Sequence, residues 1–193
     1  MFRATMRAGS PPGLLMQVRS SHDLSSPDDE QAAPPVLRLA LAGLGWGLLT
    51  CMLCFAILFL TKWLLPPAYW GAHTGLAKFK HEMSLPLLVF WVVIYSPILE
   101  TFLGQLLPLE ILKRLGASRQ LSIFIGALLW AIVHFISGGL LHAIVALGSG
   151  AMFSFVYLRY RAPGVAVAYA TTTFSRACNN IAVLVAVFYG LDT

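Results

Sequence analysis

The chain has 193 residues, of which 58% are hydrophobic and only 11% charged, with a mean hydropathy of +0.77. A soluble domain carries roughly 25% charged residues, so this composition cannot cover a water-facing surface and excludes both a soluble globular enzyme and a disordered chain. The net charge is +5, but the 13 Lys and Arg are scattered between apolar runs and form no basic stripe. That excludes nucleic acid as a partner and fits loop charges that orient a protein in a bilayer.

In chain order, residues 1–36 form a polar tail rich in Ser, Pro and Gly, predicted to be disordered. Its longest apolar patch, Leu14-Leu15-Met16, is too short for the core of a signal peptide. Residues 37–193 are predicted to form a transmembrane helical bundle. A crossing helix needs about 20 apolar residues, and five runs qualify: Leu39–Leu60, Leu85–Leu107, Leu121–Ser137, Leu140–Tyr157 and Val165–Tyr189. The first carries Gly43 and Gly47 in GxxxG spacing, a close-packing signal, with Cys51 and Cys54 as small packing residues. The second contains Pro97, which removes one helical hydrogen bond and clashes with the carbonyl of Val93, so the helix should loosen beside Glu100. The third and fourth are joined only by Gly138-Gly139, which predicts a tight helical hairpin. The fifth bears a polar stripe, Tyr169, Thr172, Thr173, Arg176 and Asn180, which must face protein or trapped water. Its threonines suit hydrogen bonding across helices. The expected fold is all-α, a polytopic membrane bundle of about five transmembrane helices.

Loop charges set the orientation. With the N-terminus cytoplasmic, the inner segments hold nine cations: Arg3, Arg7, Arg19, Arg38, Lys113, Arg114, Arg119, Arg159 and Arg161. The outer segments hold three, Lys62, Lys78 and Lys80. The expectation is an integral protein of the cell (inner) membrane with its N-terminus in the cytoplasm.

Ionisable groups inside the spans are the informative ones, because each costs about 2.5–3.5 kcal/mol at the centre of a crossing. Glu100, His134 and Arg176 are such groups, and Asn180 lies one turn beyond Arg176. At about 1.5 Å per residue, Glu100 lies about 12 Å from Pro108, His134 about 20 Å from Leu121, and Arg176 and Asn180 about 16 and 22 Å from Val165. All four fall in the middle third of the bilayer, so one pocket can hold them. A carboxylate there serves equally as a general base that activates water or as half of an ion pair with Arg176. His134 is a candidate proton carrier or carbonyl polariser. His142 is expected to be structural at the outer rim, and His73, His81 and Glu82 lack partners that would make a site.

These residues also carry a resemblance. SPILETFLGQ, WAIVH and RACNN, in that order over roughly 85–190, resemble the CAAX-protease and bacteriocin-processing (CPBP or Abi) family of intramembrane endopeptidases. The family pattern is E-E-x-x-x-R on one helix, F-x-x-x-H on the next and H-x-x-x-N on a later one, around an active-site water. Glu100, His134 and Asn180 match. Thr101 stands in place of the second glutamate, Gln105 in place of the arginine, and Arg176 in place of the second histidine.

Guanidinium has no lone pair and is never deprotonated in a protein, so Arg176 is neither base nor metal ligand. One His, one Glu and one Asn fall a nitrogen short of a catalytic zinc site, so no metal and no other cofactor is expected. Two readings stay open. In the first, the chain is a peptidase that hydrolyses a membrane-associated substrate through Glu100, His134, Arg176 and Asn180. In the second, it is a catalytically silent relative that binds a membrane peptide or protein, with Glu100–Arg176 as a structural pair. Direct contact within that pair favours the silent reading; a water-sized gap lined by His134 and Asn180 favours catalysis. A transporter ranks last, since no internal repeat is visible.

Overall fold

The computed structural model describes residues 36–71 and 82–190, and all of them lie in one compact unit, 33–193. The predicted tail up to residue 35, as well as His73, Lys78, Lys80 and His81, lies outside the described residues. Every long element is helical: α1 (Val36–Leu64), α2 (Leu85–Arg114), α3 (Arg119–Gly138), α4 (Leu140–Arg159) and α5 (Val165–Phe188). A single 3-10 turn, Pro67–Tyr69, follows α1.

Four of the five helices, α1 to α4, are long and apolar enough to cross a membrane. The fifth expected crossing differs. Helix α5 has 24 residues, which is length enough, but its Thr, Ser, Arg and Asn residues lower its apolarity. It packs against α1, α2 and α4, so its polar residues meet protein instead of lipid.

The α3–α4 hairpin turns on a single residue, Gly139, at φ +82°, a backbone conformation that side chains with a Cβ rarely adopt. Helices α3 and α4 then pack along each other. Helix α1 meets α5 through the glycines flagged by their spacing. A Cβ at Gly47 would lie 2.5 Å from the Ser175 carbonyl oxygen and 2.6 Å from the Cys178 Cβ, whereas one at Gly45 would meet nothing within 4 Å. Gly47→Ala is therefore expected to cost about 1–3 kcal/mol by overpacking. Gly45→Ala should be neutral or slightly stabilising, since alanine is the better helix former. Thermal unfolding of the two variants in detergent checks the contrast.

Helix α2 is not regular. It widens into π-helical turns at Phe90–Tyr95 and Phe102–Leu106, each ending two residues before a proline, Pro97 and Pro108. In a π turn the carbonyl of residue i seeks the N–H of residue i+5. For Val92 that partner would be Pro97, which has no N–H. The loosening expected around Val93 thus leaves the Val92 carbonyl free, and the Asn180 side chain donates to it at 3.0 Å.

Candidate functional site

A chamber of about 740 Å³ opens inside the bundle, and Glu100, His134, Arg176 and Asn180 all line it. Three helices bring them there: α2 supplies the acid, α3 the imidazole, and α5 the guanidinium and amide.

Arg176 is the most constrained of the four. Its side chain is only 2% exposed. Its guanidinium carbon lies 4.3 Å from the ring centre of Trp130 and 4.2 Å from that of Phe153, stacked against two aromatic rings in a cation–π arrangement. One terminal nitrogen donates to Glu100 Oε2 at 2.9 Å, and the other to Gln105 Oε1 at 2.7 Å. Burying an unpaired charge in an apolar bundle is costly, so the Glu100 carboxylate is what allows this cation to sit there.

Glu100 is held at both oxygens. Oε2 takes the Arg176 bond, and Oε1 accepts from the Ser96 hydroxyl at 2.5 Å, one turn earlier on α2. Its side chain keeps 28% exposure, unlike Arg176, and it forms part of the chamber wall. A carboxylate has about four lone-pair sites, so two bonds do not exhaust it.

His134 places Nδ1 3.0 Å from the Trp130 carbonyl oxygen. A carbonyl only accepts, so Nδ1 carries a proton, and in the neutral ring Nε2 keeps a lone pair. Asn180 spends an amide hydrogen on Val92, and its Oδ1 accepts from Asn179. The donor set does not fit a catalytic zinc, because Arg176 replaces a nitrogen ligand with a cation. Among the described residues, no three His, Cys, Asp or Glu converge.

Four participants, Ser96, Gln105, Phe153 and Asn179, were given no part in the site from sequence. Ser96 carries a readable signal, the i, i+4 relation to Glu100. Gln105 is visible only as a departure from the family pattern, yet it is fully buried and shares the guanidinium. In a regular α-helix, residues five apart point about 140° away from each other. The π turn at Phe102–Leu106 reduces that angle and lets Glu100 and Gln105 meet the same guanidinium. Phe153 and Asn179 carry no signal: one is an ordinary apolar residue of α4, the other a neighbour of the expected asparagine.

Other expectations shift. Thr172 does not bond across helices, because its hydroxyl returns to the Ala168 carbonyl of its own helix at 2.7 Å. Tyr169 does reach across, donating to the Ile98 carbonyl at 2.9 Å. The buried face of α5 extends beyond the expected stripe to Thr171, Ser175 and Asn179, the side that meets α1. His142 lines the chamber as well as the hairpin, with Nδ1 2.5 Å from the Gly138 carbonyl oxygen. Cys51 and Cys54 are buried, and Cys54 reaches the chamber wall.

A family model described as type II CAAX prenyl endopeptidase Rce1-like matches residues 82–182, which contain all four candidate residues. No curated protein matches the chain, and no solved structure does.

Proposed function

The chain belongs to the Rce1-like family of type II CAAX prenyl endopeptidases, and from that premise we propose that it binds a membrane-associated peptide or protein segment in the family's chamber while hydrolysing it slowly or not at all. The observation that carries this reading is the 2.9 Å contact between Glu100 and a sealed Arg176. A general base must reach a water and take its proton. Here Arg176 holds one carboxylate oxygen and Ser96 the other, so a water must compete with bonds already made. The same cation has both terminal nitrogens engaged and almost no exposed surface, so it is poorly placed to donate to a developing oxyanion, which needs a donor within about 3 Å. Two departures from the family pattern, Gln105 and Arg176, thus meet at one neutralised pair, and the third, Thr101, follows Glu100 on the same helix. The apolar chamber is left available for recognition.

The second reading is an active intramembrane endopeptidase, and two observations favour it: Glu100 keeps exposure in the chamber, and His134 Nε2 keeps its lone pair. In that case Glu100 activates water, His134 carries the proton or polarises the carbonyl, Asn180 orients water or oxyanion, and Arg176 stabilises developing charge. In either reading the protein is integral to the membrane. The charge bias of nine cations against three supports a cytoplasmic N-terminus and a cell (inner) membrane setting.

The deciding experiment places the purified chain in lipid nanodiscs with a fluorescent farnesylated peptide ending in Cys-a-a-X. Saturable binding with product no greater than in empty nanodiscs is expected. Cleavage that disappears in Glu100→Gln while binding persists establishes the endopeptidase instead.

A further inference from the structure

A second cavity, about 380 Å³, lies at the opposite end of the molecule's charge pattern, where α2 ends at Arg114, α3 begins at Arg119 and α4 ends at Arg159. Its wall brings together Lys113 from the end of α2, Arg119 and Ser122 from the start of α3, and Arg161 from the loop after α4. Arg114 and Arg159 flank the same end, making five cations there. Of the three described carboxylates, Glu82, Glu100 and Glu110, only Glu110 lies in this region.

Glu110 is already committed. Arg161 grips both its oxygens, at 2.5 and 2.9 Å, and the Tyr157 hydroxyl donates to it at 2.9 Å. This clamp raises the Arg161 guanidinium still further above its ordinary range through its hydrogen bonds to the carboxylate. It also fixes Arg161 at the cavity wall. Lys113 and Arg119 have no carboxylate partner within ion-pair distance among the described residues. Arg119 lies over the Phe155 ring at 5.1 Å. The positive end of the α3 dipole adds to the field. Orientation by loop charge needs cations at this end, but it does not need three of them, from separate elements, converging on one cavity.

We propose that this cavity binds the phosphodiester headgroup of an anionic phospholipid. The shared chemistry is phosphate, and the surroundings favour a lipid source over a free ion. The cavity sits where apolar helices end, at the level of headgroups, its wall includes the apolar Ala117, Leu158 and Ala162, and Leu115 beside it is 75% exposed. The phosphate engages Lys113, Arg119 and the free side of Arg161, and the acyl chains follow the apolar helix surface past Leu115. Basic pockets between membrane helices are a recognised form of headgroup site. The site is separate from the chamber and does not depend on whether that chamber hydrolyses anything.

The test uses the full-length chain in detergent, with thermal unfolding and native mass spectrometry as readouts. Phosphatidylglycerol, phosphatidylcholine and inorganic phosphate are added separately at equal ionic strength. Phosphatidylglycerol should raise the unfolding temperature and remain as one retained lipid per chain, and the other two should do neither. Lys113→Gln with Arg119→Gln should weaken phosphatidylglycerol binding about tenfold or more. Arg114→Gln with Arg159→Gln removes the same charge outside the cavity wall and should weaken it no more than about twofold. Equal losses in the two variants overturn the site in favour of general surface charge. An equal response to inorganic phosphate assigns it to a free anion, and an equal response to phosphatidylcholine removes headgroup recognition. Both wild-type comparisons hold even if a variant fails to fold.

Discussion

Glu100→Gln is expected to lower the stability of the protein by about 3 kcal/mol or more, the range for stripping one partner from a buried ion pair. Glutamine keeps an oxygen that can accept from Arg176, so the change isolates the charge from the hydrogen bond. What is left behind is a guanidinium 2% exposed, stacked against Trp130 and Phe153, with no anion. For a chain of this size each kcal/mol shifts the unfolding temperature by about 2–4 °C, so the loss should be about 6–12 °C in detergent. Glu100→Gln combined with Arg176→Gln removes both charges and should recover much of that loss. Recovery will fall short of complete, because glutamine does not fill the space between the two rings. The double-mutant cycle therefore measures coupling directly, and residues in one ion pair should show it strongly. A single variant that unfolds at the wild-type temperature shows that the pair carries no weight. The silent reading would then lose its physical basis.

Restoring the family pattern should restore chemistry. The triple variant Thr101→Glu, Gln105→Arg, Arg176→His is expected to cleave a farnesylated Cys-a-a-X peptide at least about 10²-fold faster than the native chain, the lower bound for a correctly placed general acid–base group. The three changes belong together for a steric and an electrostatic reason. The Arg176 guanidinium already touches the Gln105 side chain at 2.7 Å. An arginine at 105 can therefore extend into the space that histidine at 176 vacates. It then supplies the cation that two adjacent glutamates require. Arg176→His alone leaves Glu100 without its cation and should give little activity. Thr101 is fully buried and its hydroxyl has no hydrogen-bond partner among the described residues, so a larger acid there must gain both room and a polar partner from the other two changes. A triple variant that folds, binds the peptide and still produces nothing above background shows that the chamber has lost more than these three side chains.

Much of the architecture was legible because it follows from short-range rules. Apolar runs of about 20 residues gave the helix ends to within about four positions except at the end of α2, which continues seven residues beyond Leu107 through the charged turn to Arg114, while Gly138-Gly139 gave the hairpin and Gly43 and Gly47 the α1 contact. Depth along each helix, a matter of simple rise per residue, was enough to place Glu100, His134, Arg176 and Asn180 at one level. Helix α5 was harder to class, because the polar residues that mark it as functional are the same ones that lower its apolarity.

Composition and periodicity by themselves determined that this chain is a helical membrane protein with an acid, an imidazole, a guanidinium and an amide at one depth. They could do so because the hydrocarbon forbids unpaired backbone polar groups and makes every intramembrane charge conspicuous. Only the tertiary structure decided what those groups do to one another. The π turns of α2 rotate Gln105 towards Glu100, the missing N–H of Pro97 hands the Val92 carbonyl to Asn180, and Phe153 arrives from α4 as an ordinary apolar residue with no signal of its own. Each depends on where helices distant in sequence cross, and crossing is set by packing and backbone irregularity, which no spacing rule encodes.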